Sequence, residues 1–151
     1  MNDVEKFLAH AVALERDAAR RYEDLAASMA TDGNAELRAF FARMAHFSRL
    51  HLAEAQARAG WRTLPELSAD EFEWPDGIPP ETAEWAGVDP MMAPTDALAL
   101  ALESERRGHA FYAAIAAISP DAEVRALAGD FAAEEAQHVA ELEKLAAAAA
   151  R

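Results

Sequence analysis

Glu15 is followed seven residues later by Tyr22, and Glu105 is followed seven residues later by Tyr112. Each segment leads into another that carries a histidine: Ser48-Arg49-Leu50-His51 in the first half, Glu135-Ala136-Gln137-His138 in the second. In a helix, residues three or four apart share a face. Glu135 and His138 therefore aim a carboxylate oxygen and an imidazole nitrogen at one point. Carboxylates suit hard cations and imidazole suits iron, manganese or zinc, so the mixture favours a transition metal over calcium. A single Glu-x-x-His in an alanine-rich helix is weak evidence. The superposed halves carry the argument: His51 on His138 brings Met44 onto Phe131, Ala45 onto Ala132 and Glu54 onto Glu141. Tyr22 on Tyr112 brings Glu15 onto Glu105 and Leu25 onto Ile115. One position breaks the symmetry, since Ser48 stands where the second half has Glu135.

Four stretches of helical periodicity must position these side chains, at about 3–30, 34–59, 95–118 and 120–148. Thr31-Asp32-Gly33-Asn34 separates the first two, with Asn34 as the expected N-cap of the second. Gly60 ends the second. Thr95 is placed to cap the third, and Ser119-Pro120-Asp121 opens the fourth with proline at the first helical position. Links this short force each pair antiparallel, giving two helical hairpins. Between the pairs, the segment of about 60–94 holds six of the seven prolines and all three tryptophans. Irregular stretches of this length are unusual in a compact domain. Its expected task is a crossover along the bundle, about 37 Å for a helix of some 25 residues. Trp61, Trp74 and Trp85 would pin the strap to the bundle or to a second subunit, with a short helical turn at Pro80 to Trp85. The expected architecture is all-α: an antiparallel four-helix bundle in a single domain spanning 1–151.

Composition narrows the function classes. At net charge −13 the chain lacks the clustered Lys and Arg that phosphate binding requires, so no nucleic-acid partner is expected. Without cysteine there is no disulfide, iron–sulfur cluster, Cys-ligated zinc or cysteine nucleophile. The N-terminal residues lack the pattern of a signal peptide, and no segment is long and apolar enough to span a bilayer, so the expectation is a cytoplasmic protein with no membrane partner.

The duplicated pattern resembles the ferritin-like, rubrerythrin-type family of di-iron carboxylate proteins, over essentially the whole chain and including the long connection. That family has a Glu from each of two helices and a Glu-x-x-His from each of the other two, all facing the bundle interior. The resemblance implies Glu15 and Glu105 as the single glutamates, His51 as the first histidine, and Glu135 with His138 as the second pair. Ser48 matches a glutamate that normally bridges both metals. Tyr22 and Tyr112 match aromatic positions whose phenols hydrogen-bond ligand carboxylates across the bundle. His109 falls four residues after Glu105, where the first half has Ala19, as a replacement ligand or a neighbour of one. The implied cofactor is non-haem iron, one or two ions, with manganese or zinc as substitutes. Glu134, Glu103 and Glu54 read as surface charges, and His10 and His46 as surface or structural residues.

Charged groups on the apolar side of a helix are costly unless paired or coordinated. A bound cation resolves this for Glu15, Glu105 and Glu135; so does a metal-free core of protonated carboxylates, histidines and tyrosines. Two functions follow. The first is a rubrerythrin-like metal protein with peroxide- or dioxygen-linked oxidoreductase activity, dependent on an external electron donor because the family's cysteine-rich module is absent. The second is a non-catalytic binding or dimerisation module of the same descent, with a structural metal or none. A homodimer is expected, whereas nothing in the sequence specifies the closed cage that iron storage requires.

Overall fold

The computed structural model of the protein describes residues 1, 3–31, 35–77 and 93–149. Four long helices dominate it: α1 (Val4–Thr31), α2 (Ala35–Ala59), α3 (Pro94–Ile118) and α4 (Ala122–Ala149). The expected caps of α2 at Asn34 and the expected turn at Pro80 to Trp85 lie outside the described residues.

Local chemistry sets the helix ends. Asp3 opens α1 by accepting the amide hydrogens of Glu5 and Lys6 at 2.9 and 3.2 Å, which satisfies donors that have no partner within the helix. Gly60 closes α2 at φ 58°, a left-handed conformation that glycine adopts without steric cost. Two expected starts are corrected. Ala93 rather than Thr95 is the N-cap of α3; Pro94 already occupies the first turn, and Asp96 reaches back to accept the Ala93 amide hydrogen at 3.3 Å. At α4 the cap is Asp121, whose carboxylate accepts from Val124 N at 3.0 Å, so Pro120 precedes the cap instead of beginning the helix.

α1 packs along α2 and α3 along α4, as two antiparallel hairpins in an all-α four-helix bundle. Two apolar clusters show how they align. At one end Phe7, Leu8 and Ala11 of α1 meet Ala55 and Ala59 of α2, Phe111 and Ile115 of α3, and Val124 and Phe131 of α4. At the other, Tyr22 and Met29 meet Leu37, Phe41 and Met44, with Ala97, Leu98 and Ala101 of α3 and Leu142 of α4. The C-terminus of α2 and the N-terminus of α3 thus lie at opposite ends of the bundle. α2 and α3 run in the same direction, and the connection must travel its length.

The described part of that connection is fastened by Trp74. Its ring lies 4.9 Å from His10 and 5.2 Å from both Phe72 and Phe111. His10 is fully buried beneath it: Nδ1 lies 2.8 Å from the Lys6 carbonyl oxygen, and Nε2 accepts the Glu73 amide hydrogen at 2.8 Å. A Lys6–Glu73 ion pair at 3.1 Å closes the contact. Trp61 departs from expectation. It is 87% exposed and meets only the Arg62 guanidinium among its described ring contacts, so it does not pin the strap to this chain's bundle. It leaves α2 just past Gly60, where the chain turns outward before Leu64 returns to the core.

Candidate metal centre

The repeat places its polar residues between the two apolar clusters, with every helix of the bundle contributing at least one. Glu15 and Glu105 come from the middle of α1 and α3, His51 from α2, and Glu135 and His138 from α4. All three carboxylates are buried, at 4%, 3% and 1% exposure respectively. Burial at this depth follows from helix periodicity: Glu15 sits between Leu14 and Ala18, and Glu105 shares its face with Leu102 and Tyr112, all of them core residues.

These five side chains form two overlapping groups. Glu15, His51 and Glu135 each offer a ligand atom within 4.8 Å of the others, and so do Glu105, Glu135 and His138. Glu135 belongs to both. His51 Nδ1 lies 3.4 Å from Glu135 Oε1 and 3.7 Å from Glu15 Oε1. His138 Nδ1 lies 3.8 Å from Glu105 Oε2. The imidazole rings stack, with centroids 4.6 Å apart and planes 8° from parallel. Across the bundle, the Tyr112 hydroxyl donates to Glu15 Oε1 at 3.3 Å, which orients that carboxylate. Tyr22 is fully buried and stacks on Phe41. Ser48 is buried one turn before His51. His109 is half-buried on α3 and belongs to neither group.

Electrostatics bind the groups together. Burial lowers the His51 pKa, but the Glu15 hydrogen bond and the charges of Glu15, Glu134 and Glu105 outweigh it, and the net shift is upward. Burial raises the Glu105 carboxyl; hydrogen bonding to Glu135 and His138 and the two imidazole charges overcome that and leave it below the ordinary value. A cation entering here would take over the role of a proton on His51, so binding would release it. The donor set of three carboxylates and two imidazoles fits iron, manganese or zinc.

Two residues read from sequence as surface charges prove otherwise. Glu134 is half-buried, with Oε2 3.8 Å from His51 Nε2. Burial first, then hydrogen bonding and repulsion from Glu54, push its pKa up to about 7 against the opposing charges of His51 and Arg58. Glu54 is itself half-buried and 3.6 Å from Arg58. The available signal was Glu54, at i+3 from His51: it turns an acidic side chain toward the flank that Glu134 also faces. Glu103, by contrast, is an exposed partner of Arg107, and His46 is exposed.

On the far side of His138, toward the N-terminus of α2 and the C-terminus of α4, a cavity of about 160 Å³ opens between Phe40, Arg43, Phe47, Glu141 and Leu142. The His138 ring forms part of its wall and packs against Phe47 at 5.0 Å.

Among solved structures, the chain is similar to an uncharacterized conserved protein from Magnetospirillum magnetotacticum MS-1, with 41% sequence identity and a TM-score of 0.73 over 95% of this chain and 93% of that one. No protein-family model and no curated protein matches the chain.

Proposed function

This chain belongs to the same family as the conserved Magnetospirillum magnetotacticum protein, and we propose that it is a ferritin-like, rubrerythrin-type metal protein. In this reading Glu15, His51, Glu105, Glu135 and His138 hold one or two transition-metal ions, iron before manganese or zinc, for peroxide- or dioxygen-linked oxidoreductase chemistry. The observation that supports it best is that Glu135, at 1% exposure, belongs to both three-residue groups. A carboxylate shared in that way has two oxygens for two positions, and a buried negative charge calls for a compensating cation.

Bound iron would supply one-electron redox chemistry and an open coordination position where Ser48 replaces a carboxylate. The chain's own residues orient and insulate. Tyr112 holds Glu15 by its hydroxyl, the Phe7 and Phe131 rings pack against Tyr112 at 6.0 and 5.4 Å, and His51 stacks on His138. Electrons would come from an external donor, since the chain has no cysteine with which to hold an iron–sulfur relay.

A second reading, a non-catalytic dimerisation module, draws support from a different place. Trp61 and Ile118 are 87% and 77% exposed at the end of the bundle where α2 and α3 terminate, and large apolar side chains so placed suit an interface between copies. The test is an anaerobic Fe(II) titration followed by hydrogen peroxide. Peroxide consumed in proportion to bound iron, and not by His138→Ala, supports the oxidoreductase. Iron bound with no peroxide consumed favours the second reading.

A further inference from the structure

His51 presents its two nitrogens to different surroundings. Nδ1 faces the centre, between Glu15 and Glu135, whereas Nε2 faces outward to Glu134 Oε2 at 3.8 Å. That Glu134 oxygen is shielded from solvent and accepts no hydrogen bond among the described residues. A buried acceptor without a donor is uncommon in folded proteins and costs stability. The donor nearest to hand is a proton on His51 Nε2.

An imidazole that coordinates through one nitrogen carries its proton on the other, and an acceptor placed there selects the tautomer and the ring orientation. We propose that Glu134 is the positioning residue of His51: it accepts the Nε2 hydrogen and thereby keeps Nδ1 bare and aimed between Glu15 and Glu135. The inference rests on the metal reading above. Glu54, three residues after His51, lies beside Glu134 and is braced by Arg58 at 3.6 Å. Arg58 in turn reaches Asp130 of α4 at 3.1 Å, which ties the two helices together beside the pair.

The arrangement is asymmetric. His138 has the Phe47 ring beside it, in a cavity wall that also holds Arg43 and Glu141, while His51, on the side where Ser48 stands in place of a carboxylate, has the Glu134 carboxyl group directly behind it. A carboxylate behind a ligating imidazole raises its basicity. Glu134 thus strengthens the position that Ser48 weakens, without being a ligand.

Zinc(II) is the probe, because it is diamagnetic and needs no redox turnover. Its affinity is read by competition with a chromophoric chelator, and the histidine ring nitrogens by ¹⁵N-resolved NMR of the zinc-loaded protein. The parent is compared with Glu134→Ala, Glu134→Gln and the exposed control Glu103→Ala. The expected result is His51 ligated through Nδ1 and protonated at Nε2, with zinc affinity down about 10- to 100-fold in Glu134→Ala. Glu134→Gln, whose amide oxygen still accepts, recovers most of the loss, Glu103→Ala has none, and the His138 signals stay in place. Parent affinity in Glu134→Ala overturns the proposal alone. So does an equal loss in Glu134→Ala and Glu134→Gln with the His138 signals displaced, which would mark a merely structural role. A parent that takes up no zinc overturns it together with the reading it rests on.

Discussion

Replacing Glu135 by methionine should make the metal-free protein more stable and the metal-supplied protein less so. Glu135 is 1% exposed and lies within 4.8 Å of ligand oxygens on both Glu15 and Glu105. Two like unit charges at that separation repel by about 3–4 kcal/mol at an effective dielectric constant of about 20. Desolvating the carboxylate adds several kcal/mol more, of which the nearby imidazoles and the bond to Glu105 recover part. Exchanging a whole buried ion pair or triad for apolar side chains commonly stabilises by about 1–4 kcal/mol. Here three carboxylates face two imidazoles, so removing one relieves repulsion without stranding an opposite charge, and the lower half of that range is expected. For a chain of this size, the lower half of that range corresponds to a rise in Tm of roughly 3–8 °C. The assay is thermal or urea unfolding in excess chelator, repeated with zinc or anaerobic Fe(II). A ligand at about 100 times its Kd stabilises the parent by about 2.7 kcal/mol, and Glu135→Met should gain nothing, so the order of stability reverses. Two outcomes would refute the reasoning. One is a variant more than about 1 kcal/mol less stable than the parent in chelator, which would make Glu135 part of a self-sufficient hydrogen-bonded polar core. The other is a variant that metal still stabilises.

His10 predicts a pH dependence remote from the centre. Burial holds its pKa below the usual value, against the opposing pull of the Lys6 carbonyl and Glu73. The unfolded chain then binds the extra proton first, so this contribution is complete above about pH 6.5 and is lost as pH falls from there toward the folded-state value, at up to about 1.4 kcal/mol per pH unit. Urea unfolding from pH 7.5 to 5.0 should show that slope in the parent and lack it in His10→Asn; identical slopes would contradict the buried neutral imidazole. The tryptophans should separate sharply by urea unfolding. Trp74→Ala should cost about 2–3 kcal/mol through lost packing on His10 and Phe111, while Trp61→Ala should stay within about 0.5 kcal/mol.

Sequence periodicity made the helices and the inward glutamates legible because both depend on positions within one helix. Glu15 and Tyr22, like Glu105 and Tyr112, are two turns apart on one face, and that spacing survives whatever packs against it. Relations between helices were less accessible. Glu134 lies about 100° around α4 from Glu135, which suggests solvent until α2 is placed with Glu54 and His51 on that flank. His10 turns away from the centre, since five residues carry it about 140° around the helix from Glu15. What lies on that side is the strap, whose path leaves no periodic trace in sequence. For the same reason Trp61 and Trp74 looked equivalent: only the route of the chain after Gly60 decides which ring is covered. Helix starts shifted by a residue or two because Pro94 and Asp121 fit the first turn and the cap better than the hydroxyl side chains beside them.

The central claim, that these buried carboxylates and imidazoles exist to hold metal, is tested most directly by metal content per chain. Protein purified from iron-supplemented cells, and apoprotein reconstituted with Fe(II), Mn(II) or Zn(II), would be analysed by elemental analysis beside His138→Ala and Ser48→Glu. The account predicts one to two equivalents in the parent, fewer in His138→Ala, and a value in Ser48→Glu at or above the parent's. A parent without metal under every one of these conditions would contradict it.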